Sequence, residues 1–327
     1  MDKVKWGILG AGVIAGKVAG AIKEYPQAEL IGVGSRNIEK AQAFADSAGI
    51  KRAFGTYEEL CRSPEVDVIY VATPHTFHKE HTLLALRNGK HVMCEKPFSL
   101  NRRDSEEMIQ AARSANLFLM EAMWTCLMPG MVKLKQLLKD GIIGKVNLVE
   151  ADFGFQAPYC PDSRLFNREL GGGALLDVGI YPLTFALSTL GLPEEYSAVA
   201  SLGKTGVDEL SVYNLKYKNG TVATLKASIT QQTDCVARIY GTEGTISIPS
   251  DWWKMEKIVI TNGHVEEIDT SYNCNEYYFE IEEVSRCIQK GLTESPNIPH
   301  AWTLNMMELM DGLRSQMGLC YPQEVKR

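Results

Sequence analysis

The 327-residue sequence predicts a two-domain α/β protein, with a doubly wound parallel sheet over residues 1–123 and an α+β domain with a large, mostly antiparallel sheet over 124–327. Three observations predict this. Apolar runs alternate with helical patterns up to residue 123, a glycine turn joins the first run to the first helical pattern, and period-two alternation dominates from 197 to 260.

Residues 4–10 form the first apolar run, and a helical pattern follows over 14–24. A second strand at 29–34 precedes a helix over 38–48, for which Asn37 supplies a capping oxygen. The run Val66-Asp67-Val68-Ile69-Tyr70-Val71-Ala72 is of the kind buried on both faces of a parallel sheet. A helix near 76–88, a strand at 90–94, a helix over 102–115 and a strand at 117–120 complete the first domain. Beyond Met123 a helix near 130–139 leads into a strand over 145–155. Lys218-Asn219-Gly220 and residues 241–244 punctuate the later alternation as hairpin turns, and helices near 276–290 and 302–317 close the chain.

Composition narrows the function classes. A net charge of −6 without a basic run argues against a nucleic-acid partner. Lys3 and Lys5 precede about twenty mostly apolar residues, but Lys17 and the glycines argue against a secretory signal. No run has the length and purity of a membrane span, so no membrane partner is expected. The eight cysteines include no C-x-x-C pair, which points away from a zinc site or disulfide framework and fits a reduced, cytoplasmic setting. His75, His78 and His81 are spaced by three and drift around a helix; with no Cys or carboxylate to complete a set, no metal is expected.

The glycine turn is Gly10-Ala11-Gly12-Val13-Ile14-Ala15. Gly10 permits the tight turn, Gly12 lets the backbone approach a pyrophosphate, and the small Ala15 lets helix pack close on strand. The helix start at Val13 and Ile14 then presents N–H groups and a positive dipole end to the anion, as in a Rossmann dinucleotide site. Where the second strand ends, a NAD-preferring fold offers Asp or Glu to the ribose; this chain offers Ser35-Arg36-Asn37. A guanidinium and a hydroxyl suit a 2′-phosphate, so NADP is expected, with NAD possible.

Lys96 stands between Glu95 and Pro97 at the end of an apolar strand. Proline interrupts the ladder, restricts Lys96 to an extended conformation and admits a cis bond, and strand ends of such sheets face the ligand crevice. A second constellation lies at Gly171-Gly172-Gly173-Ala174-Leu175-Leu176-Asp177-Val178-Gly179-Ile180-Tyr181. One helical turn would place Asp177 and Tyr181 on a common face, and the three glycines allow backbone to approach a ligand. A phenol, with an ordinary pKa near ~10, exchanges protons at neutral pH when a neighbouring ammonium lowers it. Lys96, Asp177 and Tyr181 thus read as a catalytic set in which Tyr181 exchanges the substrate hydroxyl proton, Lys96 polarises the oxygen and Asp177 orients both.

Gly10-Ala11-Gly12, Thr73-Pro74-His75-x-x-His78, Glu95-Lys96-Pro97 and Gly172-Gly173-Ala174-Leu175-Leu176-Asp177-x-Gly179-x-Tyr181 together resemble the glucose–fructose oxidoreductase / inositol dehydrogenase / MocA (Gfo/Idh/MocA) family over nearly the whole chain. Residues 119–125 and 290–299 are similar to its dimeric dihydrodiol dehydrogenase and NADP-dependent D-xylose dehydrogenase branch. Tyr181, where many members carry His, departs from the inositol dehydrogenases in the same direction. The resemblance implies that Lys96, Asp177 and Tyr181 are catalytic, that Pro74 and His75 lie beside the nicotinamide, and that Thr73, His78, Glu95 and Lys96 belong to the cofactor set. It implies a substrate pocket walled by Trp124, Phe153, Tyr181 and Trp252, or Trp253 in its place, and an open sheet face that pairs subunits in a homodimer. The expected function is hydride transfer between NAD(P) and a secondary hydroxyl of a sugar, polyol or trans-dihydrodiol. A catalytically silent NADP-binding sensor or scaffold is the alternative, and the retention of all three catalytic residues weighs against it.

Overall fold

Six apolar segments become parallel strands in the computed structural model, which describes residues 2–325. These are β1 (Val4–Leu9), β2 (Ala28–Gly34), β3 (Arg52–Phe54), β4 (Val68–Val71), β5 (His91–Glu95) and β6 (Leu119–Ala122). Their order, β3-β2-β1-β4-β5-β6, is the doubly wound one, and the winding reverses between β1 and β4. Helices α1 (Val13–Glu24), α2 (Ile38–Ala48), α3 (Tyr57–Arg62), α4 (His78–Arg87) and α5 (Arg102–Ala115) make the crossovers. Asn37 caps α2 as expected, its side-chain oxygen accepting the Lys40 amide at 2.7 Å.

β3 and α3 are absent from the sequence reading. Three residues carry too little periodicity to register, and β3 exists because the edge of β2 offers it partners at Gly32, Val33 and Gly34. Thr56 then starts α3 by accepting the Glu59 amide at 3.1 Å.

In the second compact unit, α6 (Pro129–Lys139) leads to β7 (Val146–Gly154), a π-helical turn (Leu175–Gly179) and α7 (Ile180–Leu190). Seven strands follow: β8 (Glu195–Leu202), β9 (Asp208–Lys216), β10 (Val222–Ser228), β11 (Ala237–Gly241), β12 (Thr245–Ile248), β13 (Lys257–Thr261) and β14 (Val265–Asp269). They form one sheet in the order β14-β13-β12-β11-β7-β10-β9-β8, antiparallel throughout except for the β7/β10 pair. Period two sorts its faces. Val149, Ala151, Leu225 and Tyr213 are buried in register on one side, where α7 packs, while Glu150, Thr224, Lys226 and Asn214 alternate with them on the other. Residues 168–190 are apolar and long enough to cross a bilayer by composition, but 94% of that window is buried within the protein, as a core helix is.

The chain then returns to the first unit. Helix α8 (Tyr278–Gln289) buries Ile281, Val284 and Cys287 and packs with α1 and β1. Helix α9 (His300–Met317) starts there, with His300 Nε2 against the Leu119 carbonyl at 2.9 Å, and α10 (Pro322–Val325) ends the second unit. The division is therefore residues up to Trp124 with Asn273–Met307, and Thr125–Tyr272 with the chain from Glu308 onward, rather than a single cut after residue 123. The apolar stripe of α8 matches the parallel sheet, and local sequence carries no mark of that distant partner.

Candidate active site

The reversal of the first sheet brings the ends of β1, β4 and β5 side by side. At β1, Gly10 has φ +113° and a side chain there would lie 2.6 Å from the Ala72 carbonyl oxygen, so only glycine fits. Gly12 caps the twelve-residue α1 without a side-chain contact, and a Cβ there would meet nothing within 4 Å. No acidic residue occupies the first turn, and the Val13 side chain is 86% exposed. First-turn N–H groups lack intrahelical partners, so Val13 and Ile14 begin a helix open to an anion.

At the end of β2, Ser35 is buried while Arg36 is exposed beside a cavity of about 390 Å³ lined in part by Arg36, Tyr57, Thr73, Pro74, Phe77 and His81. The Arg36 guanidinium lies 5.9 Å from the Phe77 ring centre. His81 stacks on Phe77 and is pushed down to about 4 by burial, with the charges of His78 and Arg36 adding, so its ring is a neutral wall at pH 7. Burial raises the Tyr57 phenol and the neighbouring Arg36 opposes it. A flat aromatic lining with a guanidinium at its edge fits an adenosine bearing a phosphate. Sequence reasoning missed Tyr57 because α3, which carries it, left no signal.

The ends of β4 and β5 are tied together by His78. It is fully buried, with Nδ1 2.8 Å from the Pro97 carbonyl and Nε2 2.8 Å from the Thr73 carbonyl, and burial lowers its pKa below the usual value. Both ring nitrogens of His78, expected in the cofactor set, thus face backbone and brace the two strand ends. The Thr73 hydroxyl is 2.9 Å from His81 Nδ1, Pro74 is exposed and His75 is half-buried. The Lys96–Pro97 bond is cis. The Glu95 carboxylate turns inward, accepting the Tyr70 hydroxyl and the Lys96 amide at 3.2 Å. Glu121 on β6 accepts the Phe98 amide at 3.1 Å and the Thr303 hydroxyl at 2.9 Å. The Trp124 ring is 5.4 Å from that of Tyr277.

In the second unit, Asp177 lies in the π-helical turn and Tyr181 in the first turn of α7, so the turn that joins them is partly π-helical rather than the α-helical one expected. Asp177 Oδ1 accepts from Arg164 Nη1 at 2.7 Å, a partner on an irregular loop that sequence reasoning missed. The Tyr181 ring is 5.2 Å from Phe153, which stacks face to face on Trp253 at 3.7 Å. Trp252 is fully buried instead, donating its indole N–H to the Asp152 carbonyl at 2.7 Å and lying edge-on to Phe185. Trp252 therefore belongs to the core, and Trp253 is the neighbour that stacks on Phe153. The glycines also find another reason. A side chain at Gly172 would strike the Leu165 carbonyl, and side chains at Gly173 and Gly179 would strike Asp208 and the Tyr213 hydroxyl.

Residues 4–123 match the family described as oxidoreductase family, NAD-binding Rossmann fold, and residues 131–247 match the GFO/IDH/MocA C-terminal domain. The chain is 37% identical to zebrafish (Danio rerio) trans-1,2-dihydrobenzene-1,2-diol dehydrogenase and 33% identical to the human enzyme of that name, covering 98% of this chain and 99% of each relative. It is also similar to the crystal structure of an aldose-aldose oxidoreductase from Caulobacter crescentus complexed with glycerol, at TM-score 0.87 and 26% identity over 96% of this chain and 97% of that one. KijD10, a 3-ketoreductase from Actinomadura kijaniata in complex with NADP and TDP-benzene, matches at TM-score 0.87 and 25% identity over 97% and 98%.

Glu121 yields a pH prediction. Burial, with the neighbouring Glu95 charge adding, raises its carboxyl to about 7 against the Thr303 and Phe98 hydrogen bonds. The folded state thus favours the protonated form, a contribution fully present below the unfolded pKa and lost as pH rises through about 7. Glu121→Gln should therefore raise Tm relative to wild type more at pH 8 than at pH 5 in a thermal-melt series. Parallel melting curves across that range would contradict the assignment.

Proposed function

This chain belongs to the Gfo/Idh/MocA oxidoreductase family, and on that premise we propose that it transfers hydride between NADP and a secondary hydroxyl of a sugar, polyol or trans-dihydrodiol. The observation that carries the reading is Lys96, held at the end of β5 by buried groups on either side. The relatives named as dihydrodiol dehydrogenases and the aldose-aldose oxidoreductase support the substrate class.

The turn Gly10–Gly12 with the amides of Val13 and Ile14 would hold the pyrophosphate, Ser35 and Arg36 the 2′-phosphate, and Thr73, Pro74 and His75 the nicotinamide end. When bound, the nicotinamide accepts or supplies the hydride. The Lys96 ammonium polarises the substrate oxygen, Tyr181 exchanges its proton, and Asp177, paired with Arg164, sets their orientation. Phe153 and Trp253, with Trp124, wall the substrate against water. A cytoplasmic homodimer completes the reading. The outward sheet face, which carries Val199 at 68% exposure among polar neighbours, is the pairing surface.

The direct test is NADPH absorbance in the presence of trans-1,2-dihydrobenzene-1,2-diol or D-xylose with NADP. NADPH binding without turnover on either, or on a wider sugar and diol panel, would overturn the enzymatic reading.

The residues and the assembly can each be tested. Arg36→Asp should weaken NADPH relative to NADH by about 1.5–3 kcal/mol, read as dissociation constants, because a charge-assisted contact is lost; equal wild-type affinities for the two cofactors would refute it. Lys96→Met and Tyr181→Phe should each lower kcat by ~10²–10⁴-fold while NADPH binding stays within severalfold, and near-normal turnover would remove the residue concerned from the mechanism. Light scattering at micromolar concentration should give twice the mass of one chain; a single-chain mass counts against the dimer.

A further inference from the structure

Beneath the π-helical turn of the second unit runs a chain of buried polar groups. The Leu175 amide donates to Asp208 Oδ2 at 2.7 Å, the Ser211 hydroxyl donates to the same oxygen at 2.7 Å, and the Tyr213 hydroxyl donates to Ser211 Oγ at 2.9 Å. Asp208, Ser211 and Tyr213 have no exposed surface. Asp208 Oδ1 has no hydrogen-bond partner among the described residues, and it lies where a Gly173 side chain would be, 2.1 Å from the position of a Cβ. A Cβ at Gly179 would lie 2.6 Å from the Tyr213 hydroxyl. Gly173 and Gly179 thus make room for this chain of groups.

The charged and titratable groups around Asp208 are Arg314 of α9, itself paired with Asp311 and Glu324, and the phenols of Tyr213 and Tyr321. Burial outweighs the opposing hydrogen bonds and Arg314, and holds the carboxyl at about 6. Its folded value is raised, so the stabilising contribution belongs to the protonated form. That contribution is complete below the unfolded value of 3.8 and lost as pH rises through about 6. At neutral pH the fold therefore holds an ionised carboxylate at a cost in stability, where an uncharged residue would cost less.

We propose that Asp208, backed by Ser211 and Tyr213, is a positioning residue for the reaction: its carboxylate grips the Leu175 amide and so sets the turn that carries Asp177 and leads into Tyr181. This rests on the reading of Tyr181 as the proton-exchanging residue and Asp177 as the one that orients it. The test is Asp208→Asn, followed by Tm, by hydrogen–deuterium exchange of the 173–181 segment, and by kcat and KM from pH 5 to 9 with NADP and trans-1,2-dihydrobenzene-1,2-diol. The variant should melt at or above the wild-type Tm at pH 8 and exchange ~10-fold faster in that segment. Its kcat should fall ~10-fold or more with KM within ~3-fold, and it should lack an acid limb near pH 6 that the wild type shows. Wild-type exchange, or a wild-type kcat and limb, overturns the proposal. Should Asp208→Asn fail to fold, Ser211→Ala, which removes one donor to the carboxylate, should move the acid limb to higher pH; an unmoved limb overturns the proposal equally. Absence of turnover in the wild type would be a failure of the substrate reading, and the exchange measurement then decides alone.

Discussion

The Lys96-Pro97-Phe98 turn is held by three buried side chains, each bonded to its backbone. Glu95 accepts the Lys96 amide, His78 meets the Pro97 carbonyl and Glu121 accepts the Phe98 amide. A chain leaving a strand end exposes amide and carbonyl groups that water ordinarily satisfies, and in a buried setting side chains must do so. Carboxylates do it more strongly than neutral groups, at the cost of desolvation, and the raised pKa of Glu121 records that cost. Without these ties the strand end would fray on the timescale of local opening, and an ammonium at position 96 would have no fixed origin.

The same interactions reach the nucleotide side of the first unit. His78 takes the Thr73 carbonyl with its other nitrogen, so the β4 and β5 ends move as one piece. Thr73 in turn contacts His81, whose neutral ring stacks on Phe77 in the wall beside Arg36.

In the second unit a comparable division separates two adjacent tryptophans. Asp251 and Met255, at φ +62° and +54°, bracket the turn that carries them. Left-handed conformations at non-glycine positions are strained, and here the packed indole of Trp252 offsets the strain. With Trp252 anchored on Asp152 and Phe185, Trp253 is left to stack on Phe153 beside Tyr181.

The sequence by itself determined the features that local residue type and spacing encode. These are the order of strands and helices through β6 apart from β3 and α3, the Gly10-x-Gly12 turn, the Asn37 cap, Arg36 in place of an acid, and Lys96 at a proline-broken strand end. Each rests on steric or hydrogen-bonding rules that act within a few residues. Only the tertiary structure decided which of Trp252 and Trp253 is buried, that His78 is a strut, that Arg164 pairs with Asp177, that Tyr57 lines the cavity, and why glycine stands at 173 and 179. Most of those outcomes depend on distant partners, 13 residues away for Arg164 and Asp177 and 100 for Asp152 and Trp252. Burial and hydrogen bonding at such separations are properties of packed surfaces, and no local pattern records which surface a side chain will meet.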